Sequence, residues 1–259
     1  MKVLAIGDVF GKAGCDFLLK KLPIIKKEHS IDLVIANGEN SAEGNGILPG
    51  SAEMLFSAGV DVITGGNHSL RRREIYEVLD ENPFLIRPAN LPKSVPGTGI
   101  TYVDMGYTTV AVINILGVVY MESLACPFET ADKLIAEAKD NGAKIIIVDF
   151  HAEATSEKRA LGFYLDGKVS CVFGTHTHIQ TADEQILPRN TGYITDLGMT
   201  GVIDSVLGVD KNIIIQKMKD KLPVKFYNAV GECSLNGCIF EIDKSTGFTT
   251  SVKRIQVCQ

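Results

Sequence analysis

Four of the five histidines in this chain stand behind short apolar runs, and no other feature constrains its fold and chemistry so closely. His68 ends Gly65-Gly66-Asn67-His68, His151 follows Phe150, and His176 and His178 close Gly174-Thr175-His176-Thr177-His178. Two further apolar runs end in Gly7-Asp8 and in Asn37-Gly38-Glu39-Asn40. Only His29 lies elsewhere, on a polar helix end. Apolar runs of this length read as buried strands. Alternation with amphipathic segments makes the chain α/β, and in such sheets ligands bind where loops converge at the carboxyl ends of the strands.

The periodicity predicts strands at Lys2 to Ile6, Leu33 to Ala36, Val60 to Thr64, Gly99 to Asp104, Thr109 to Leu116, Lys144 to Phe150 and Ser170 to Gly174. Helical spacing predicts helices at Asp16 to Glu28, Gly50 to Ala58, Arg72 to Asp80, Thr130 to Asp140 and Ser156 to Leu165. The last third reads as strand-rich, with Lys225 to Ala229, Gly237 to Ile242 and Thr249 to Ile255, after a basic amphipathic helix from Lys211 to Lys221 that reads as a solvated face. Pro83, Pro88, Pro92 and Pro96 mark a long surface loop. No repeat or linker divides the 259 residues, so one domain over 1–259 is expected.

Charge narrows the function. Lys and Arg total 26 against 31 Asp and Glu, a net charge of −5, which argues against broad binding to duplex nucleic acid. A small phosphate substrate stays open, because a metal pair is a local positive centre. No segment approaches the ~20 apolar residues of a spanning helix, and the first apolar run stops at Gly7-Asp8, so a cytoplasmic protein without a membrane is expected. The six cysteines lack zinc-module spacing and read as reduced, mostly buried thiols.

Each strand-end motif alone is weak, since Gly-Asp and Gly-Asn-His also occur in ordinary turns. Together they are hard to explain as turns, because independent turns would not sort nearly every histidine onto one edge. His-Thr-His places two imidazoles on one side of a strand end, and burying both without partners is costly. The donors are nitrogen and oxygen without sulfur, which suits iron, manganese or zinc better than calcium, and they exceed one site's needs. Two metals ~3.5–4 Å apart clamp a phosphoryl group and lower the pKa of a bridging water, making it an in-line nucleophile.

The order Asp8, Gly38-Glu39-Asn40, Gly66-Asn67-His68, His151, His176-x-His178 resembles the calcineurin-like metallophosphoesterases. More closely, GDVFGKAG, ANGENSAEGNGI, GGNH, DFHAEATSEK, GTHTHIQTADEQILP and YITDLGMTG are similar to the bacterial YmdB-like phosphodiesterases, over nearly the whole chain. The resemblance implies a four-layer αββα sandwich and a dinuclear centre holding iron or manganese, with zinc or magnesium as alternatives. It also implies hydrolysis of cyclic nucleotides, 2′,3′-cyclic and also 3′,5′-cyclic. Carried over, Asp8, Glu39, Asn40 and His178 hold one metal, and Glu39, as bridge, joins Asn67, His151 and His176 around the second.

Where the wider superfamily has a histidine in its first motif this chain has Phe10, and Asn40 offers an amide oxygen in its place. Its usual bridging Asp is here Glu39. His68 follows a proposed ligand and so points towards substrate, as a general acid for the leaving group or as a brace for its loop. After it, Ser69-Leu70-Arg71-Arg72-Arg73 replaces the narrower family's usual aromatic and acidic residues; the run reads as a solvated helix start or as a phosphate contact. Thr195 to Gly201 is motif-like without a reactive pair. Expected partners are a small phosphodiester such as a cyclic nucleotide, short RNA ends and further copies of the chain. The rival functions are a phosphomonoesterase or nucleotidase, and a metal-dependent nucleotide-binding regulator.

Overall fold

The computed structural model describes residues 1–259. Its first half runs β1 (Lys2–Ile6), β2 (Asp8–Val9), α1 (Gly11–His29), β3 (Leu33–Asn37), α2 (Pro49–Ala58), β4 (Val62–Thr64), α3 (Tyr76–Glu81), β5 (Ile100–Asp104), β6 (Thr109–Leu116) and α4 (Pro127–Asp140). Then follow β7 (Ile145–His151), α5 (Thr155–Leu165), β8 (Cys171–Thr175), β9 (Gln185–Ile186), β10 (Gly192–Ile194), β11 (Met199–Val202), α6 (Lys211–Asp220), β12 (Cys233–Ile242) and β13 (Thr249–Cys258).

Strand alternation builds four layers. Val3, Ala5, Leu33 and Ile35 face Val110, Val112, Ile145, Ile147 and Phe173 in the core between two sheets. The residues between them, Leu4, Ile6, Val34 and Ala36, turn outward onto Leu18 and Leu22 of α1 and Leu55 of α2. On the other side Ala111, Ile113, Ile146 and Val148 meet Ala131 and Ile135 of α4 and Leu161 and Leu165 of α5. A period of two with both faces covered gives the near-continuous apolar runs seen in the sequence. The expected four-layer αββα sandwich is the observed architecture.

The first sheet has the order β2-β11-β12-β1-β3-β4, with β13 also paired to β12; the second has β5-β6-β7-β8-β10-β9. β1, β3 and β4 run parallel in one sheet, and β6, β7, β8 and β10 in the other. No helix is long and apolar enough to cross a membrane. All six cysteines are unpaired, and Cys15, Cys171, Cys233 and Cys238 are buried.

Three expectations need correction, and four short strands were not expected. Helix α1 begins at Gly11, not Asp16, because Gly14 lets its first turn close on β11: a Cβ there would lie 2.4 Å from the Thr200 carbonyl oxygen. The Pro83–Pro96 stretch is not a surface loop throughout. Leu85 to Pro88 and Asn90 are buried, the Ile86 N–H donates to the Ile63 carbonyl, and Asn90 Nδ2 donates to that of Leu116 (2.9 Å). Residues 225–229 form no strand, since no neighbouring strand offers a ladder and only Asn228 makes a bridge, to Val209. Strands β2, β9, β10 and β11 are too short or too glycine-punctuated for a periodic signal.

Candidate metal centre

The carboxyl ends of β1, β3 and β4 meet those of β7 and β8 across the sandwich, and the predicted residues converge there. Asp8, Glu39, Asn40, His151 and His178 are buried, His68 and His176 are partly exposed, and Asn67 is exposed at the rim. Ligand atoms of Glu39, His151 and His176 all lie within 4.8 Å of one another. His151 Nε2 is 3.3 Å from Glu39 Oε1, 3.0 Å from His176 Nδ1 and 3.1 Å from Asn67 Oδ1. A second grouping has Asp8 Oδ1 3.7 Å from His178 Nε2, with the Asn40 amide 3.3 Å from that nitrogen and 2.8 Å from Glu39 Oε1. Glu39 thus belongs to both groupings. In this geometry the Asn40 amide turns its nitrogen towards Glu39 and its oxygen towards His68 Nδ1 (3.1 Å), so ligation by oxygen requires the amide to turn over.

Each imidazole in these groupings has one ring nitrogen occupied by an oxygen and the other turned inward. The Thr175 hydroxyl donates to Asp149 Oδ1 (2.7 Å), so it accepts from His151 Nδ1 (2.9 Å), and Nε2 is left facing the cluster. His178 Nδ1 donates to the Leu207 carbonyl (3.2 Å). His176 Nε2 lies 3.1 Å from Glu153 Oε2. Metal-binding histidines are characteristically held in this way by an outer oxygen acceptor. Asp149 itself is held by Thr64 Oγ1 and by Asn37 Nδ2 (3.1 Å).

Two observations test whether these residues fit a metal. Asp8 Oδ1 is buried with no hydrogen-bond partner, which is costly for a carboxylate oxygen unless a cation meets it. Gly66 leaves a cradle that any other residue would fill: a Cβ there would sit 2.3 Å from Glu39 Oε2 and 2.4 Å from His151 Nε2. The nitrogen–oxygen donor set suits a borderline divalent ion. The residues fit.

Electrostatics agree. Burial raises the Asp8 carboxyl, an effect the charges of His178 and His151 oppose. Burial pushes Glu39 up as well, but the charge and hydrogen bond of His151, with those of His68, hold it well below the usual carboxylate range. Burial opposes charge on His151, yet Glu39, Asp8 and Asp149 carry it up to about 9. Burial and the neighbouring His151 charge push His176 down to about 3. Burial raises Asp149 to about 6, against His151 and its hydrogen bonds. One proton is therefore concentrated on His151, where a cation would take its place.

His68 stands at the open rim. Its backbone N–H donates to Glu39 Oε2 (2.9 Å), and its ring lies between Asn40 Oδ1 (3.1 Å) and Asn67 Nδ2 (3.3 Å). Phe10 packs its ring edge-on against His178, centroids 5.8 Å apart. Within the arginine run, Arg72 ties the loop after Asn40, donating to the Glu43 and Asn45 carbonyls (2.6 and 3.1 Å). Sequence reasoning missed Asn37, Thr64, Asp149 and Thr175; the signal available was a polar residue inside each apolar run. It also left the role of Asp196 open, which accepts from Lys158 Nζ (2.6 Å) and from the N–H and hydroxyl of Thr177 (3.1 and 2.7 Å).

Comparison with known proteins points one way. A 2′,3′-cyclic-nucleotide 2′-phosphodiesterase of Bacillus subtilis (strain 168) is 46% identical over 257 residues, covering 99% of this chain and 97% of that protein. The crystal structure of a novel phosphatase from Mycoplasma pneumoniae superposes with a TM-score of 0.94 at 34% identity, covering 100% of this chain and 93% of that one. A 5′-nucleotidase precursor from Thermus thermophilus shares the fold alone, with a TM-score of 0.62 at 12% identity, covering 100% of this chain and 54% of that one. The family model described as YmdB-like protein matches residues 4–255, nearly the whole chain, and this protein therefore belongs to the YmdB-like family.

Proposed function

We propose that the chain is a metal-dependent phosphodiesterase that hydrolyses 2′,3′-cyclic nucleotides, built as one domain over residues 1–259. The observation that carries this reading is the convergence of three oxygen-held imidazoles on Glu39 and the unpartnered Asp8 Oδ1. Asp8, Glu39, Asn40 and His178 would hold one divalent ion, and Glu39, Asn67, His151 and His176 a second. The donor set supports iron or manganese. Bound, the ions supply Lewis acidity to the phosphoryl oxygens and an acidified water as nucleophile.

The chain's own residues do the rest. Thr175, Leu207 and Glu153 fix the three imidazoles in the orientations that ligation needs. Attack at phosphorus breaks one P–O bond to the ribose, and the departing oxygen needs a proton. His68, at the rim with part of its ring exposed, would give it, a transfer typically worth ~10²–10⁴-fold. The 46% identity with a 2′,3′-cyclic-nucleotide 2′-phosphodiesterase over nearly the whole chain supports the same substrate class. The same centre would accept a cyclic phosphate on a short RNA end.

The test is turnover of a 2′,3′-cyclic nucleotide by Mn²⁺- or Fe²⁺-loaded protein, beside bis-p-nitrophenyl phosphate and p-nitrophenyl phosphate. Preference for the diesters is expected. Preference for the monoester would move the assignment to a phosphomonoesterase, and tight nucleotide binding without turnover to a regulator.

A further inference from the structure

Beside the centre lies a groove of about 840 Å³, within the ~300–1,000 Å³ range of ligand pockets, and none of its lining residues is a candidate metal ligand. It borders the centre through three contacts. Phe10 lines the groove and packs its ring on His178; Arg71 lines it and donates its N–H to the His68 carbonyl (3.0 Å). Gly11, next to Phe10 and Lys12 of the lining, donates its N–H to the Asn40 carbonyl (2.8 Å). The remaining lining includes two carboxylates, Glu43 and Asp16, of which Asp16 holds Lys12 Nζ (2.6 Å), and then Lys225, Phe226 and Tyr227.

The segment that supplies those last residues differs in charge from the rest of the molecule. From Lys211 to Tyr227 five lysines stand against one acid, Asp220, in a protein of net charge −5. The segment is also apolar on its surface. Helix α6 buries only Ile214, and Ile215, Met218, Leu222, Phe226 and Tyr227 are exposed. The rings of Phe226 and Tyr227 present their faces to cations: Lys217 Nζ is 4.4 Å from one centroid and Lys225 Nζ 5.3 Å from the other. A solvated face would not carry this many uncovered apolar and aromatic side chains.

Lysines interleaved with exposed aromatic rings beside a phosphodiester centre match single-stranded nucleic acid, whose phosphates meet the charges and whose bases stack on the rings. A lipid surface also suits lysines with exposed Ile215 and Met218, but a concave groove bordering the centre does not fit a flat bilayer. We propose that this groove, with Arg71 and Lys225 for phosphates and Phe226 and Tyr227 for bases, seats the upstream nucleotides of a single-stranded RNA whose 3′ end carries the 2′,3′-cyclic phosphate. This rests on the phosphodiesterase reading above and deepens it. Such an end forms when a ribose 2′-oxygen attacks the adjacent phosphodiester and the downstream 5′-oxygen leaves with a proton. The reaction that supplies the substrate is then RNA cleavage of this type.

The experiment compares a 2′,3′-cyclic mononucleotide with a pentaribonucleotide ending in the same cyclic phosphate, in the native protein, in Tyr227→Ala and in Arg71→Gln/Lys225→Gln. In parallel, the anisotropy of a labelled single-stranded RNA is followed in EDTA over a salt series, which reads the groove without turnover. The proposal expects a KM for the pentamer about ten-fold below that of the mononucleotide. Tyr227→Ala should raise the pentamer KM about ten-fold and leave the mononucleotide unchanged. In the double variant the slope of log affinity against log salt should fall by about 0.7 for each of the two cations that meets a phosphate. Equal KM values for the two substrates overturn it, as does RNA binding unaffected by the variants. Binding to anionic vesicles that the variants abolish, with no RNA binding, would make this a membrane face. Failure of both substrates to turn over refutes the phosphodiesterase reading instead, and anisotropy still decides whether the groove binds RNA.

Discussion

Lys158 Nζ lies 2.6 Å from Asp196 Oδ2, with 2% and 1% of the two side chains exposed, and the same oxygen accepts from the N–H and hydroxyl of Thr177. Thr177 is the middle residue of the turn that carries His176 and His178, whose φ values of 98° and 64° lie in the left-handed region. Non-glycine residues held there cost roughly 1–3 kcal/mol each and persist only when their surroundings impose them. The buried ion pair anchors the turn between them through Thr177.

Removing one partner of such a pair leaves an uncompensated buried charge, worth about 3–5 kcal/mol. Lys158→Met is therefore expected to lose that much in urea unfolding, and Lys158→Met/Asp196→Asn to recover part of it. The double variant should still bind metal weakly, because an amide cannot accept at both oxygen positions and either Thr177 or the Gly198 N–H (2.8 Å to Oδ1) loses its acceptor. Recovery of stability and metal affinity together would contradict the anchoring role.

The titration of His151 gives a pH dependence with a definite sign. Its pKa is raised from about 6.5 to about 9, so in metal-stripped protein the proton's contribution to stability is full below about pH 6.5 and is lost as pH rises through about 9. A metal at Nε2 displaces that proton, so affinity should rise with pH over this interval. Calorimetry at pH 7.5 in buffers of different ionisation enthalpy should detect about one proton released from His151 as metal binds. Uptake with no proton release and no pH dependence between 7 and 9 would contradict the assignment.

His68 separates on the leaving group. His68→Ala should keep its metals, lose ~10²–10⁴-fold on a ribonucleotide substrate, and lose much less on a p-nitrophenyl diester whose leaving group needs no proton. Equal losses on both substrates, or a metal-free variant, would leave His68 as a brace for its loop.

The donor-bearing strand ends were legible because each is a local pattern: an apolar run, a glycine or other short turn, then a donor. The fold class followed from the same runs. The support behind the donors was not, because it is made by tertiary contact. Asn37 and Asp149 are 112 residues apart and Lys158 and Asp196 are 38 apart, and neither pair has a spacing rule. Asp149 did carry a signal, being the one carboxylate within the apolar run Ile145 to Phe150, where a buried charge demands partners. Residues 225–229 misled for the opposite reason. Lys-Phe-Tyr-Asn-Ala has strand-like composition, but a strand is a pairing and no strand lies beside it.

Glu39 is proposed as the one carboxylate that serves two metal ions. The direct measurement is elemental analysis of anaerobically purified, metal-loaded protein against Glu39→Gln, which removes the charge and keeps the shape. Two metals per chain are expected in the native protein and reduced content at both sites in Glu39→Gln, whereas loss of His178 should empty chiefly one. Two metals per chain retained in Glu39→Gln would contradict it.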